Sequence, residues 1–586
     1  MEKNRRELWL KAVAAGLVLG SFLINIKNIL TSCHVDAEYQ VAMAYRMLRG
    51  DRMFSQMWES HQTSAFFLAF FEWIYLKLTG TTTGIVLYAN AVGILCRTVV
   101  AFLVFKTMKK YIDRRAAFAV LLLALNLYPK DVMLPDFANM QIWFALLLMC
   151  CLITYFEGSG KKVWLVAGAV CLCLEVLSYP SCVLVWIPCV ILIGMYSPRK
   201  KRDFGIFTGV CAASGMVWLL YFMRGEPKKF VQYIYEIWSG DESHAVGPGV
   251  RLRLLGQDFA ALAGDLKYFF VMALCALLFS CIVGMLYRKK GSMLSRKRFW
   301  LTAFSWFVGI YVFAYLVHLP AEEAGTKYHF FALYFFVEIA AFLCMRYLNA
   351  QEKRIFLTGQ LIGFGGFAAT LFLSDCGLFT TIPYMIPNLC VSLIPLEKAW
   401  QGAREEMGKR EPALLPFAPV ALLCAVMIFR NAVYVNGWMV IPANFKEDSI
   451  FGVTWTAHYG PLKGIVSREG TYVADVSYSE WQELIQPGDK VLILSYPSLT
   501  ATTYLYEDVE ICADSVISTP TYSERMLTYW EENPDKYPDV VVVKCYGGTV
   551  MAGGDNPVME WLTEEFNAEQ IVDGAFWRYY LKNSAE

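Results

Sequence analysis

Acids, bases and an imidazole crowd into one short polar stretch of an otherwise apolar chain. From Cys33 to Gly80 the sequence runs CHVDAEYQVAMAYRMLRGD and then RMFSQMWESHQTSAFFLAFFEWIYLKLTG. Its first part carries Asp36, Glu38, Arg46, Arg49, Asp51, Arg52, Glu59 and His61. The stretch follows directly on a first apolar run, where a second span or a soluble domain would be ordinary. Carboxylates and an imidazole held at one membrane surface can take protons from a substrate and return them. The competing reading is a plain interfacial loop.

The elements that position these groups follow from composition. Of 586 residues, 57% are hydrophobic and 18% charged, below the roughly 25% usual in soluble domains. The expected fold is a polytopic α-helical membrane protein. A net charge of +1 gives no sign of nucleic-acid binding. A helix needs about 20 residues to cross the hydrocarbon core. Apolar runs place thirteen spans near 9–31, 84–106, 115–129, 140–156, 163–179, 181–196, 204–223, 267–287, 299–317, 328–345, 355–373, 377–395 and 414–430. The basic N-terminus resembles a signal peptide but ends in a polar loop with no small-residue cleavage site, so the first run is read as a retained span.

Basic clusters fix an orientation, because short cytoplasmic loops are enriched in Lys and Arg. Those at Lys3 to Arg6, Lys106 to Arg115, Lys161 and Lys162, 198–202, 288–298, Arg346 to Arg354 and Lys398 to Arg410 all fall inside if the N-terminus is cytoplasmic. That arrangement requires residues 64–79 not to cross. They are read as a juxtamembrane helix in the outer interface, which leaves the C-terminus extracytoplasmic.

The outer loops then collect polar residues: Lys130, Asp131 and Asp136 in one, the segment 224–266 in another, and His318, Glu322, Glu323, Lys327, Tyr328 and His329 in a third. Five of the six histidines lie in or beside such loops. Within the spans, Arg97, Glu175 and Glu338 should face the protein interior. Arg97 is expected to pair with Glu338 or Glu175, and Glu175 stands near the outer cavity. The composition changes near Asn431, dividing a transmembrane part, 1–430, from an extracytoplasmic α/β accessory domain, 431–586. There the buried-strand runs GDKVLILSYP and YPDVVVVKCYGG alternate with amphipathic helices. Most of the 17 cysteines sit in apolar runs as small hydrophobes. Spacing leaves open whether Cys512 and Cys545 pair.

Taken in order, these features resemble the C-type integral-membrane glycosyltransferases, especially the branch of protein O-mannosyltransferases and lipid A aminoarabinose transferases. Members take a sugar from a polyprenyl-phosphate carrier on the outer face and pass it to an acceptor. Their first outer loop carries an Asp-Glu motif followed by Tyr or Phe, matched here by His34-Val35-Asp36-Ala37-Glu38-Tyr39 with one residue between the acids. The family's Gly-Asp step is matched by Gly50-Asp51. Its His-Pro-Pro or Lys-Pro-Pro helix opening is replaced by Glu59-Ser60-His61-Gln62-Thr63, without prolines. The second outer acid is matched by Asp136, with Asp131 as rival, and the later Lys-Tyr pair by Lys327-Tyr328. The resemblance covers residues 1–345.

It implies a single-displacement transfer with inversion at the sugar. Asp36 is then the candidate base, against a helix N-cap as the plain reading. Glu38 assists or binds a cation. Asp136 positions the acceptor, completes a cation site, or is only a turn residue after Pro135. Lys327 and Tyr328 meet the carrier phosphate, with snorkelling as the plain alternative for Lys327. Tyr39 is a further substrate contact. His61 and His329 donate to phosphate or hold a divalent ion, and Glu59, Asp131 and Glu175 are secondary candidates. Mg²⁺ or Mn²⁺ is left open as a cofactor. The implied partners are a polyprenyl-phosphate-linked sugar, an envelope acceptor and membrane lipid, with no nucleic acid, at the plasma membrane. Two rivals stand: a transporter or flippase of a lipid-linked sugar, and an inactive relative acting as an assembly subunit. A transporter would concentrate its charges near the bilayer midplane and often show internal repeats, neither of which is seen.

Overall fold

The structure is a computed structural model. It describes residues 2–31, 35–126, 132–222, 228–239, 248–289, 323–373, 377–407, 450–453, 455–467, 469–495, 501–516, 524–546, 549–550 and 557–582, with a few positions in 303–310 and 432–433.

Apolar runs become helices wherever they are described. These are α1 (Glu2–Thr31), α4 (Ile85–Met108), α5 (Arg114–Asn126), α6 (Phe137–Thr154), α7 (Lys162–Ser178), α8 (Trp186–Tyr196) and α9 (Lys200–Phe222). They are followed by α11 (Pro248–Lys289), α12 (Glu323–Cys344), α13 (Ala350–Leu373) and α14 (Ile382–Met407). Five segments, within α1, α4, α6, α9 and α13, are long and apolar enough to cross a membrane. Three shorter apolar helices lie at 116–126, 180–196 and 270–286. The chain is an integral multi-pass membrane protein. The spans expected at 299–317 and 414–430 lie largely outside the described residues. α11 begins at Pro248, well before the run expected from 267, because the mixed-charge segment ahead of it continues the same helix.

Burial separates central helices from peripheral ones. The apolar window of α6 is 94% buried within the protein, whereas that of α9 is only 6% buried. An apolar helix left uncovered by protein needs lipid around it. α6 is the hub, packed against α4, α7, α13 and α14. Gly93 on α4 makes one of these approaches feasible, since a Cβ there would sit 1.9 Å from the Met133 carbonyl oxygen. The strand of chain leading into α6 therefore lies directly on α4.

Charges inside the bundle find polar partners on neighbouring helices, which corrects the pairing expected for Arg97. Its guanidinium donates to Asn139 Oδ1 at 2.8 Å. Glu338 on α12 accepts from Gln360 at 2.7 Å and from Ser392 at 2.8 Å. Glu175 on α7 accepts from the Tyr384 hydroxyl. α4 presents Arg97 to α6, while Glu338 looks toward α13 and α14, so the long arginine meets an amide.

Three further helices matter most for function: α2 (Val35–Leu48), α3 (Ala65–Thr79) and α10 (Phe230–Ser239). Residues 65–79 are helical, as expected for the juxtamembrane piece. The C-terminal residues form a short antiparallel pair, β1 (Trp455–Thr456) and β2 (Val466–Ser467), and then α15 (Glu469–Leu484). A mixed sheet follows, made of β3 (Lys490–Leu494), β4 (Glu510–Ile511), β5 (Val540–Tyr546), β6 (Thr549–Val550), β7 (Gln570–Asp573) and β8 (Trp577–Leu581). Two more helices, α16 (Glu524–Glu532) and α17 (Pro557–Glu564), lie between its strands. Its order is β4-β3-β5-β8-β7, with β6 folded back on β5. β3 runs parallel to both β4 and β5, whereas β8 is antiparallel to β5 and β7. The unbroken apolar runs of β3 and β5 are covered on both faces, as central parallel strands require. Cys512, just past β4, and Cys545, on β5, are both free thiols separated by β3.

Packing divides differently from sequence. One hydrophobic core belongs to the helix bundle, from Val100 to Ile394. A second joins the sheet residues Val491 to Leu494 and Val540 to Val543 with Ala37, Tyr39, Val41, Trp58, Leu68 and Ile85. α2, α3 and the head of α4 thus share a core with a sheet more than 400 positions downstream.

Candidate functional site

α2 carries the two leading candidate acids in its first turn. Glu38 is 3% exposed and accepts from the Thr502 hydroxyl at 2.9 Å and the Thr502 N–H at 3.4 Å. Asp36 is half-buried and Tyr39 fully buried. Two helical positions turn through about 200°, so the acids diverge. Glu38 is pinned to the C-terminal segment while Asp36 points elsewhere. Residues 32–34, including His34, lie outside the described set.

The chain leaves α2 through Gly50, whose φ of +106° is open to glycine and strained for other residues. That turn brings Asp51 back onto Arg46, whose guanidinium is completely buried. Arg46 also donates to the Gln56 carbonyl and to the Tyr529 hydroxyl, and it stands 3.5 Å from Glu59. Glu59 accepts from Ser515 Oγ at 2.6 Å and from the Val516 N–H at 2.8 Å. Lys536 bonds Asp51 at 2.6 Å and Glu510 at 3.0 Å, and Arg525 pairs with Asp514 at 2.9 Å. Buried charges persist only when paired and hydrogen-bonded. Glu59 is therefore a bolt between the 49–64 loop and the sheet.

His61 lies between two rings, stacked on Phe137 at 4.1 Å and on Tyr179 at 5.1 Å. Phe137 is the first residue of α6, and Asp136 is that helix's N-cap, accepting from the Asn139 N–H at 2.8 Å. Asn139 in turn donates to the Val132 and Leu134 carbonyls, at 2.8 and 3.0 Å. Asp136 is fully buried. Its observed work is capping, at the start of the helix on whose first residue His61 stacks.

A nearly all-apolar cavity of about 390 Å³ opens beside this point. Phe54, Glu59, Ser60, Gln62 and Thr63 form one end, and α7, α8, α9 and α10 supply Leu172, Val176, Trp186, Trp218 and Ile237 along its walls. Thr63 Oγ1 donates to the Leu177 carbonyl at 2.7 Å, which fixes the loop to α7. The α7 face toward the cavity is Leu172, Cys173, Val176 and Leu177. Glu175 faces away, into the bundle and onto Tyr384, and does not line this cavity.

Lys327, Tyr328 and His329 fall in the first two turns of α12, and their side chains lie outside what is described. Asp131 lies outside the described residues. Among the described residues no group of three or more His, Cys, Asp or Glu is placed to hold one metal ion. Glu38 and Asp136 already serve Thr502 and the α6 N-terminus. The residues described do not fit a metal centre, and no step is assigned to one.

Sequence reasoning missed Thr502, Ser515 and Lys544, which meet α2 and its loop from the far end of the chain. It also missed Glu72, fully buried on α3 with neither oxygen hydrogen-bonded to a described residue. No local pattern marks the first three. Glu72 could have been flagged as the one acid inside AFFLAFFEWIYL.

No protein-family model matches the sequence, and no curated protein matches it. Solved structures do show similarity. ArnT from Cupriavidus metallidurans bound to undecaprenyl phosphate aligns over 97% of both chains at 12% identity and a TM-score of 0.48. The same protein in its apo state aligns over 98% of both chains at 11% identity and a TM-score of 0.49. The oligosaccharyltransferase AglB from Archaeoglobus fulgidus, in complex with an inhibitory peptide and a dolichol-phosphate, aligns over 92% of this chain and 70% of its own. Its identity is 11% and its TM-score 0.42. The chain is similar to ArnT over nearly its whole length.

Proposed function

We propose that this protein is a membrane glycosyltransferase that moves a sugar from a polyprenyl-phosphate carrier to an acceptor at the outer face of the plasma membrane. The observation that carries this reading is that an apolar cavity among the helices ends on the 49–64 loop at Glu59, which is tied in turn to Arg46 of α2 and to Ser515 beyond β4. A prenyl chain needs a dry apolar path, and the sugar and its phosphate need the polar junction at its end. In the proposed orientation the N-terminus is cytoplasmic, and the junction and sheet lie outside.

In this mechanism Asp36 accepts the proton of an acceptor hydroxyl as its oxygen bonds to the anomeric carbon. The bond from that carbon to the phosphate oxygen breaks, its electron pair leaves with the phosphate, and the sugar inverts. Lys327 and Tyr328 meet the departing phosphate, where a fixed cation stabilises the growing charge. His61, whose ring is stacked on Phe137 and Tyr179, donates to it in this reading. Glu38 is held by Thr502 as a second carboxylate, and Asp136 orders the neighbouring loop.

A second reading, an inactive assembly subunit, is favoured by one observation: Glu38 and Glu59 are both engaged in contacts that hold the sheet in place. Purified protein in liposomes, supplied with radiolabelled polyprenyl-phosphate sugars beside Asp36→Asn, separates the two. Turnover or slow donor hydrolysis that vanishes in the variant supports the transferase. Donor binding with no turnover by either form supports the subunit.

A further inference from the structure

The short pair β1 and β2 sits on the ends of two spans. Gly84 donates its N–H to the Gly460 carbonyl at 3.0 Å, and Val86 donates to the Pro461 carbonyl at 3.2 Å. Carbonyls of the loop between the two strands thus take up N–H groups at the head of α4, where a helix leaves them without partners of its own. β2 packs against α1. Asn90 Nδ2 donates to the Ile29 carbonyl at 3.2 Å, so α1 ends beside the opening turns of α4. A further tie lies at Ile450, whose N–H bonds to the Val433 carbonyl at 2.9 Å, three positions past the apolar run that ends near 430.

Large side chains around this pair are left uncovered by protein. Phe451 is 72% and Tyr459 54% exposed, and Ile450 and Tyr472 are exposed beside them. The rings are joined to one another. Trp455 meets Tyr472 at 5.1 Å and His458 at 5.8 Å, and His458 meets Tyr459 at 6.2 Å. Buried Asp475 holds the loop in shape. It accepts from Trp455 Nε1 at 3.1 Å and from the N–H groups of His458 and Tyr459 at 2.9 and 3.2 Å. A contiguous, exposed set of large apolar side chains marks a protein or membrane contact.

Position selects the membrane. The 24 residues of α4 span about 36 Å at 1.5 Å per residue, against a hydrocarbon core of about 30 Å. The head of α4 therefore emerges among the lipid headgroups, a layer about 5–7 Å deep on each side. Tyr459 directly precedes the carbonyl bonded to Gly84, so its backbone lies within about 10 Å of that head. Tyr and Trp are enriched at this depth, where an apolar ring and a polar tip both find their solvent. Lys463, exposed in the same loop, adds a cation for lipid phosphate. The juxtamembrane helix α3 arrives at the same place. A Cβ on Gly84 would stand 3.4 Å from the Tyr75 hydroxyl and 3.7 Å from the Lys463 carbonyl oxygen, and α3 exposes Phe70 and Trp73.

We propose that Phe451, Tyr459 and Tyr472 seat the C-terminal residues in the phospholipid headgroup layer, in the leaflet where α1 ends and α4 begins. The occupant is bilayer lipid, because the rings stand at the depth where the spans end. This contact holds the sheet, and the α2 segment that shares its core, at one height over the membrane. It needs no donor and no turnover, so it is independent of the transferase reading.

The test is fluorescence quenching on the full chain in nanodiscs of phosphatidylethanolamine and phosphatidylglycerol. Phe451, Tyr459 and Tyr472 are replaced one at a time by the fluorescent amino acid acridonylalanine, ring for ring, and thermal unfolding checks each protein. Three quenchers are compared: a lipid with a nitroxide on its headgroup, a lipid with a nitroxide near the end of its acyl chain, and iodide in the water. The headgroup nitroxide should dim the probes most at all three positions. Three positions keep the test open if one replacement fails to fold. Strongest quenching by iodide would place the rings in water, and strongest quenching by the chain-end nitroxide would place them in the hydrocarbon core. Quenching by none of the three would mean that protein, such as a second copy of this chain, covers them. Each of these results would overturn the proposal.

Discussion

Glu38 and Thr502 lie 464 positions apart and share a buried hydrogen bond of 2.9 Å. That bond ties the helix with the leading candidate acids to the segment between β3 and β4. An unsatisfied buried carboxylate oxygen costs about 1–3 kcal/mol or more. Thr502→Val should therefore destabilise the protein by at least that amount, while Thr502→Ser should recover most of it. Chemical unfolding in detergent, followed by tryptophan fluorescence, measures both. Equal stability of the Val and Ser variants would show that the hydroxyl does not hold Glu38.

The Arg46 cluster is the larger test of how the sheet is attached. Arg46→Met leaves Glu59 buried without its cation, while Asp51 keeps Lys536, and breaking a buried pair from one side costs roughly 3–5 kcal/mol. The sheet should loosen from α2, seen as faster limited proteolysis after residue 450. Adding Glu59→Gln to Arg46→Met removes the stranded charge and should restore part of the loss. No recovery would mean that packing, not charge, holds the interface.

How much of this was readable from the sequence depends on the distance between partners. Residues 65–79 were read as a helix from their apolar run and their loop context, and β3 and β5 from runs of valine, leucine and isoleucine. The meeting of His61 with Phe137 and Tyr179 was not readable, because each ring sits on a separate element. Arg97 was assigned an acid because opposite charges attract, yet α4 faces α6, and an asparagine stood closer. Glu59 was read as a residue that could face substrate. Its partners, Ser515 and Val516, become visible only once the sheet has folded against α2.

Glu72 gives the pH prediction. Burial on α3, with no bond to a described residue, pushes its carboxyl well above the usual range. A carboxyl raised in the folded state contributes stability that is fully present below its unfolded pKa and is lost as pH rises through the folded value. The wild-type protein should therefore lose stability from the ordinary carboxylate range upward. Glu72→Gln should flatten that decline and unfold at a higher temperature than wild type at neutral and mildly alkaline pH. Parallel pH curves for the two proteins would place Glu72 with a partner that lets it ionise.

For the chemistry, Asp36→Asn preserves shape and removes the proton acceptor. General-base catalysis contributes about 10²- to 10⁴-fold. Transfer should fall by at least the lower figure in kcat with little change in KM for the donor. Glu175→Gln should leave kcat within about twofold, because Glu175 is closed in against Tyr384 and away from the cavity. A large kcat loss for Glu175→Gln would move the working carboxylate from α2 to α7.

The cavity separates donors by the length of their lipid. Val176 lines its wall on α7, and Trp218 of α9 lines it too. Val176→Trp fills part of that apolar volume without touching the polar junction. A carrier with a long prenyl chain should then show a raised KM, while a short-chain analogue with the same sugar and phosphate should be turned over nearly as before. The split is the informative part. If both donors suffer equally, the larger ring has distorted α7 and α9 rather than blocked a path. If neither suffers, the prenyl chain runs elsewhere, along the lipid-exposed side of α9, and the apolar cavity serves packing alone.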